Sequence, residues 1–214
     1  MSNLNLPAII PLQHSWQRAW AALDAQPDVG LFERLITCYS DPHRHYHTLQ
    51  HLNECIALLE LGLAIAEHPG EVEVALWFHD AVYEVQRQDN ELQSAIWAKQ
   101  AVLAGGASPI AADRIDALVL ATRHTTLPGT ADERLLIDID LAILGASPER
   151  FEEYDRQIRA EYAWVPDALF RSKRCAVLRD FLGRTSIFST EAFQTRFEAQ
   201  ARANLQRSIA QLSD

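Results

Sequence analysis

Apolar side chains recur along this chain at helical rather than strand spacing. Leu49, Leu52, Ile56, Leu59 and Leu63 step by three or four residues and predict one face of a helix near 48–67. His68-Pro69-Gly70 is read as its stop. The next stretch, 71–85, is apolar almost all round, with Val72, Val74, Ala75, Leu76, Trp77, Phe78, Ala81 and Val82. A helix without a polar face belongs at the centre of a bundle. Further helices are expected at 91–104, 109–123, 131–145, 149–162, 166–183 and 190–211, and two more before residue 44, near 8–25 and 28–40. Gly105-Gly106, Leu127-Pro128-Gly129, Gly145 with Ser147-Pro148, and Trp164-Val165-Pro166 punctuate them. Asp132 or Thr130, and Ser147 before Pro148, are natural helix starts. No strand-like alternation, linker, internal repeat or low-complexity run interrupts the series. The expectation is one all-α domain over residues 1–214.

Composition narrows what such a bundle can do. The 214 residues are 48% hydrophobic and 22% charged, which fits a folded chain with a sizeable core. Nineteen basic against 29 acidic side chains leave a net charge of −10. That balance disfavours binding to a nucleic-acid polymer, whose partners present basic surfaces. The most apolar stretch, 57–66, contains Glu60 and falls short of the ~18 residues of a membrane span, so no membrane role is expected. The first ten residues lack the basic start and cleavage pattern of a secretory leader. Cys38, Cys55 and Cys175 are widely spaced and read as small buried apolar side chains, free thiols of a cytoplasmic protein. Phe193, Phe197, Ala201 and Leu205 form a stripe that either packs on the bundle or offers a homodimer face.

Four polar features break the helical background: Arg44-His45-Tyr46-His47-Thr48-Leu49-Gln50-His51, His79-Asp80, Asp138-Ile139-Asp140, and Arg123-His124-Thr125. A carboxylate in an apolar interior costs several kcal/mol unless it is paired or holds a cation. Asp80 is therefore either a metal ligand beside the imidazole of His79 or ion-paired to an arginine, with His79 bonded to a backbone carbonyl. Inside a helix the two side chains point about 100° apart, so they reach one ion only from its flank. His51 precedes His79 by 28 residues, room for a helix and an antiparallel return that set the two side by side. His47 and His51, at i and i+4, share a face if the helix starts early enough. If Thr48 is the N-cap, His51 lies in the first turn and His47 in the loop before it. His43 and His45, next to Pro42, read as exposed loop residues. Asp138 and Asp140 diverge by about 200° on a helix, so only one of them can complete such a site.

His51, then His79-Asp80, then Asp140 resembles the H…HD…D signature of the HD superfamily of metal-dependent phosphohydrolases. "WFHDAVY" and "DIDLAILG" carry the likeness across roughly 44–145, and "RHYHTLQH" and "IRAEYAWVPD" are similar to a small bacterial group of predicted HD phosphohydrolases. The resemblance implies an HD-type helical bundle with extra N- and C-terminal helices. It also implies one divalent ion per chain held by His51, His79, Asp80 and Asp140, with Asp138 left to cap a helix or meet an arginine. Mn, Mg, Co, Ni, Fe and Zn are not distinguished. The ion would activate a water against a small phosphorylated metabolite, a nucleotide among the candidates. Asp80 would position or deprotonate that water, and Arg44, His47 and His124 would meet the phosphate. HD proteins with two or three metals carry additional histidines between the HD pair and the final Asp. Here His124 is the single histidine after His79, which favours a mononuclear site. The competing expectation is a non-catalytic nucleotide-binding or regulatory module that keeps the metal as structure.

Overall fold

A computed structural model describes residues 6–213; the N-terminal reading for a leader rests in part on residues 1–5, which lie outside them. The described residues form ten α-helices and one 3-10 turn (Ala142–Gly145), with no strand. The helices are α1 (Leu6–Ala22), α2 (Leu31–Tyr39), α3 (Leu49–Gly62), α4 (Pro69–Phe78), α5 (Asn90–Ala104), α6 (Pro109–Ala121), α7 (Ala131–Leu141), α8 (Pro148–Glu161), α9 (Asp167–Gly183) and α10 (Glu191–Ser213). The all-α class read from the apolar spacing is the observed one. Among the described residues no helix is long and apolar enough to cross a membrane. The chain resolves into two compact units, 1–137 and 138–214. Their boundary falls inside α7, where no break in composition marks it.

In the first unit α4 is the central helix, touching α1, α3, α5 and α6. Every residue from Gly70 to Phe78 is buried. Pro69 does not stop the preceding helix, as the sequence suggested; it occupies the first turn of α4, where its missing N–H costs nothing. The helix α3 ends earlier, at Gly62. Two acids are buried with α4. Glu73 accepts from Ser15 Oγ (2.6 Å) and from Arg18 Nε and Nη2 (2.9 and 2.7 Å). Glu71 accepts from Arg114 (2.7 and 2.5 Å). Trp77 Nε1 donates to the same Ser15 hydroxyl (3.0 Å), inside a ring cluster with Trp16 and Phe32. Asp132 accepts from the Glu67 and His68 backbone N–H groups (2.7 and 3.1 Å) and so ties down the entry to α4. Thr130, not Asp132, caps α7: its hydroxyl accepts from Glu133 N–H (3.1 Å) while the Glu133 carboxylate reaches back to Thr130 N–H, a capping box.

The second unit is organised by α10, which touches α8, α9 and the 3-10 turn. Of its stripe, Phe193, Ala201 and Leu205 are fully buried and Phe197 is half-buried. Asn204, also fully buried, donates to the Leu144 and Ala146 carbonyls (2.9 Å each) and so satisfies the end of the 3-10 turn. Asp138 does cap a helix, but a distant one. Its carboxylate accepts from Ser189 N–H, Thr190 N–H and Thr190 Oγ1, all at 2.7 Å, just ahead of α10. Burial pushes the Asp138 carboxyl above its ordinary range, against the three hydrogen bonds that favour its charged form.

Two substitutions probe this unit. Asp138→Ala leaves three buried or half-buried donors without their acceptor and is expected to lower unfolding free energy by about 3 kcal/mol in urea titration. At Gly145 an added Cβ would lie 2.7 Å from the Phe197 carbonyl oxygen. Gly145→Ala is expected to destabilise by about 1–3 kcal/mol in the same measurement.

Candidate metal centre

Thr48 sets the frame of the histidine-rich segment. Its extended backbone and its hydroxyl, which accepts from Gln50 N–H at 3.3 Å, make it the N-cap of α3. Of the two arrangements open to His47 and His51, the second is therefore the observed one. His51 sits in the first turn, 2% exposed, and His47 lies in the loop before it. The His47 ring stacks on Tyr83 with centroids 4.1 Å apart. His43 and His45 are exposed, as expected for loop residues.

The His79-Asp80 pair departs from its expectation in a useful way. It does not lie inside a helix: α4 ends at Phe78, and His79-Asp80 form the turn that follows. His79 keeps helical backbone angles, and both side chains still come to one place, Asp80 Oδ2 lying 3.0 Å from His79 Nε2. The turn is held from two sides. Arg44 donates to the carbonyls of Asp80 (2.6 Å), Ala81 (3.0 Å) and His47 (3.2 Å), and its guanidinium lies over the Tyr39 and Tyr83 rings. Ser94 Oγ, on α5, accepts from Val82 N–H (3.0 Å). Tyr39 Oη accepts from Asp80 N–H (3.3 Å) and donates to the Trp77 carbonyl (3.2 Å).

Three donor atoms converge there. His51 Nε2 and His79 Nε2 are 3.1 Å apart; Asp80 Oδ2 is 3.0 Å from His79 Nε2 and 3.5 Å from His51 Nε2. Two nitrogens roughly 2.0–2.1 Å from one ion stand roughly 2.9 Å apart at a right angle and roughly 3.4 Å at a tetrahedral one. The observed edges match a coordination sphere. The back of each ring is also fixed. His79 Nδ1 lies 2.7 Å from the Leu76 carbonyl, which only accepts, so Nδ1 carries a proton and Nε2 is the nitrogen turned toward the site. Tyr46 Oη lies 3.0 Å from His51 Nδ1 and holds that ring from behind. Burial pushes the Asp80 carboxyl up, but the imidazoles of His79, His47 and His51 outweigh it and hold the acid well below the usual carboxylate range. Asp80 is thus a carboxylate surrounded by nitrogen bases, a donor set suited to a divalent cation of the first transition row or zinc.

Of the residues singled out in the sequence, His47, His51, His79, Asp80 and Arg44 come together in the first unit. Asp140 stands half-buried on the last turn of α7, at the start of the second unit, and His124 follows α6 in left-handed backbone at φ 53°. Cys55 was read only as a packing residue, yet its Sγ lies 3.7 Å from both ring nitrogens of His51. His51, Cys55 and His79 offer ligand atoms within 4.8 Å of one another, a group that can hold a metal ion. The i, i+4 spacing of His51 and Cys55 on one helix was the available signal. Between Cys55 and Asp80, the carboxylate makes the closer approach to His51 Nε2, at 3.5 Å against 3.7 Å. Tyr46 and Tyr39, which orient His51 and the turn, carried no signal in sequence.

Compared with family models, with curated proteins and with solved structures, the chain matches none. The chemistry of the site therefore rests on its own geometry.

Removing the Tyr46 hydroxyl tests whether that geometry serves a metal. Tyr46→Phe is expected to weaken divalent-ion affinity about tenfold, with circular dichroism unchanged, in a competition titration against a chromophoric chelator.

Proposed function

We propose that this protein is a metal-dependent phosphohydrolase acting on a small phosphorylated metabolite, with a nucleotide among the candidate substrates. The observation that carries this reading is the triangle of His51 Nε2, His79 Nε2 and Asp80 Oδ2, with the far nitrogen of each ring held in place. The resemblance to the HD signature assigns a fourth ligand, Asp140, and one ion per chain.

A bound divalent ion would supply Lewis acidity toward a phosphoryl oxygen and lower the pKa of a water beside it. The chain's own residues do the rest. Asp80 is 17% exposed while the two imidazoles are 1–2% exposed, so the site is approached from its side. Its carboxylate can orient a water and take its proton. His47, stacked on Tyr83 and close enough to act on Asp80 electrostatically, is assigned to contact the phosphoryl group. Arg44 donates to three backbone carbonyls, so we assign it to hold the turn in shape; its charge still adds to the local positive field. His124 is the second candidate contact. In a chain of net charge −10, attraction of a phosphorylated substrate must come from this local set rather than from the overall field.

Elemental analysis followed by a phosphate-release screen with Mn²⁺, Mg²⁺, Co²⁺ and Ni²⁺ tests the reading. One metal per chain and release abolished by chelation are expected. Asp80→Ala is expected to reduce turnover at least about 10²-fold. Undiminished hydrolysis by metal-free or Asp80→Ala protein would overturn it. Nucleotide binding that stabilises the metal-loaded fold without product would instead identify a regulatory module.

A further inference from the structure

The second unit contains a cavity of about 470 Å³ formed by α8, α9 and the end of α10. Four arginines line it: Arg156 and Arg159 from α8, Arg171 and Arg174 from α9. Three acids, Glu152, Asp155 and Asp167, also line it, so its walls are net positive in a strongly acidic chain. Asp155 and Asp167 are committed. Asp155 accepts from Arg174 Nη2 (3.0 Å) and Ser208 Oγ (2.7 Å), and Asp167 lies 3.6 Å from Arg159 Nε. Arg159 also donates to the Tyr162 carbonyl (2.7 Å) and lies over Phe170.

The other two arginines meet no carboxylate among the described residues. Arg171 donates only to the Leu212 and Gln211 carbonyls (3.0 and 3.5 Å), and Arg156 is exposed. Behind them Arg174 is a fixed charge, its side chain 11% exposed, stacked on Tyr154, with a buried Nε that has no hydrogen-bond partner. Phe170 and Leu212 supply apolar wall. The volume is that of a small-molecule site, roughly 300–1,000 Å³, and far exceeds the ~30 Å³ share of one water. Guanidinium forks match the paired oxygens of phosphoryl and carboxylate groups.

We propose that this cavity binds a small organic oxyanion, its phosphoryl or carboxylate head on Arg156 and Arg171 and its apolar body against Phe170 and Leu212. None of its lining residues belongs to the His51–His79–Asp80 group, so the site stands or falls independently of the phosphohydrolase reading.

Calorimetric titration of the metal-free full-length protein at constant ionic strength tests it, with phenylphosphonate, benzoate and methylphosphonate as probes. Saturable binding of phenylphosphonate or benzoate is expected, with methylphosphonate weaker because it lacks the ring. Whichever of the two binds identifies the head group. Arg156→Gln, which loses no internal bond, is expected to weaken binding about tenfold or more, and Arg171→Gln likewise with helix content unchanged by circular dichroism. Lys173→Gln removes the same charge from an exposed position of α9 outside the cavity and is expected to leave affinity unaltered. Absence of binding by both ring-bearing probes, or equal weakening by Arg156→Gln and Lys173→Gln, would overturn the proposal.

Discussion

The first unit depends on burying α4 from every side. A helix in that position cannot send a polar side chain to water, so each polar group it carries must meet a partner from a neighbouring helix. Glu73 meets Ser15 and Arg18, Glu71 meets Arg114, and His79 meets the Leu76 carbonyl of its own last turn. The cations that neutralise the two acids are only partly withdrawn from solvent; the Arg18 side chain is 45% exposed and that of Arg114 is 39%. Their apolar stems cover the core while their heads stay hydrated, which lowers the desolvation penalty that fully buried ion pairs suffer. The same constraint fixes the end of the helix. Once α4 stops at Phe78, the next two polar side chains must be satisfied by what already surrounds it, and α3 offers His51 there.

Helix type and order were legible because apolar spacing reports a helix face directly, and Pro and Gly mark the gaps. What was not legible were the features set by partners distant in sequence. Pro69 looks like a stop from the preceding side and is a start from the following one; only Asp132, over sixty residues away, binding the Glu67 and His68 N–H groups, decides between them. Asp138 and Asp140 are indistinguishable by spacing, and Asp138 reveals its task only through Ser189 and Thr190. The division at residue 137 left no trace in composition because it falls inside a continuous helix. At the site, residue types with scarce alternatives in a core, such as His79 and Asp80, announced themselves. Cys55 and Tyr46 did not, since both are ordinary core residues whose contact with His51 comes only from the fold.

His79-Asp80 could be a metal pair or a structural pair, and the bonds each side chain makes bear on both readings. His79 does bond a backbone carbonyl, as the structural reading required, but that bond uses Nδ1 and leaves Nε2 turned inward. For Asp80 the structural reading required an arginine on the carboxylate. A buried arginine is indeed adjacent, and it bonds the backbone carbonyl of Asp80 instead. The guanidinium thus sits on the main chain and not on the carboxylate. A guanidinium on Oδ1 and Oδ2 would fill the acceptor sites bidentately and neutralise the carboxylate's charge. Placed on the main chain, Arg44 satisfies carbonyls of the turn that follows α4. It also fixes the turn and leaves the carboxylate to the imidazoles. Among the described residues no arginine pairs with the Asp80 side chain; its close side-chain neighbours are the Nε2 atoms of His79 and His51. A core that needed only neutrality would have been simpler with an apolar pair at 79 and 80. The chain instead keeps a carboxylate there, with an arginine within reach but directed to the main chain, beside imidazoles that could hold a metal ion.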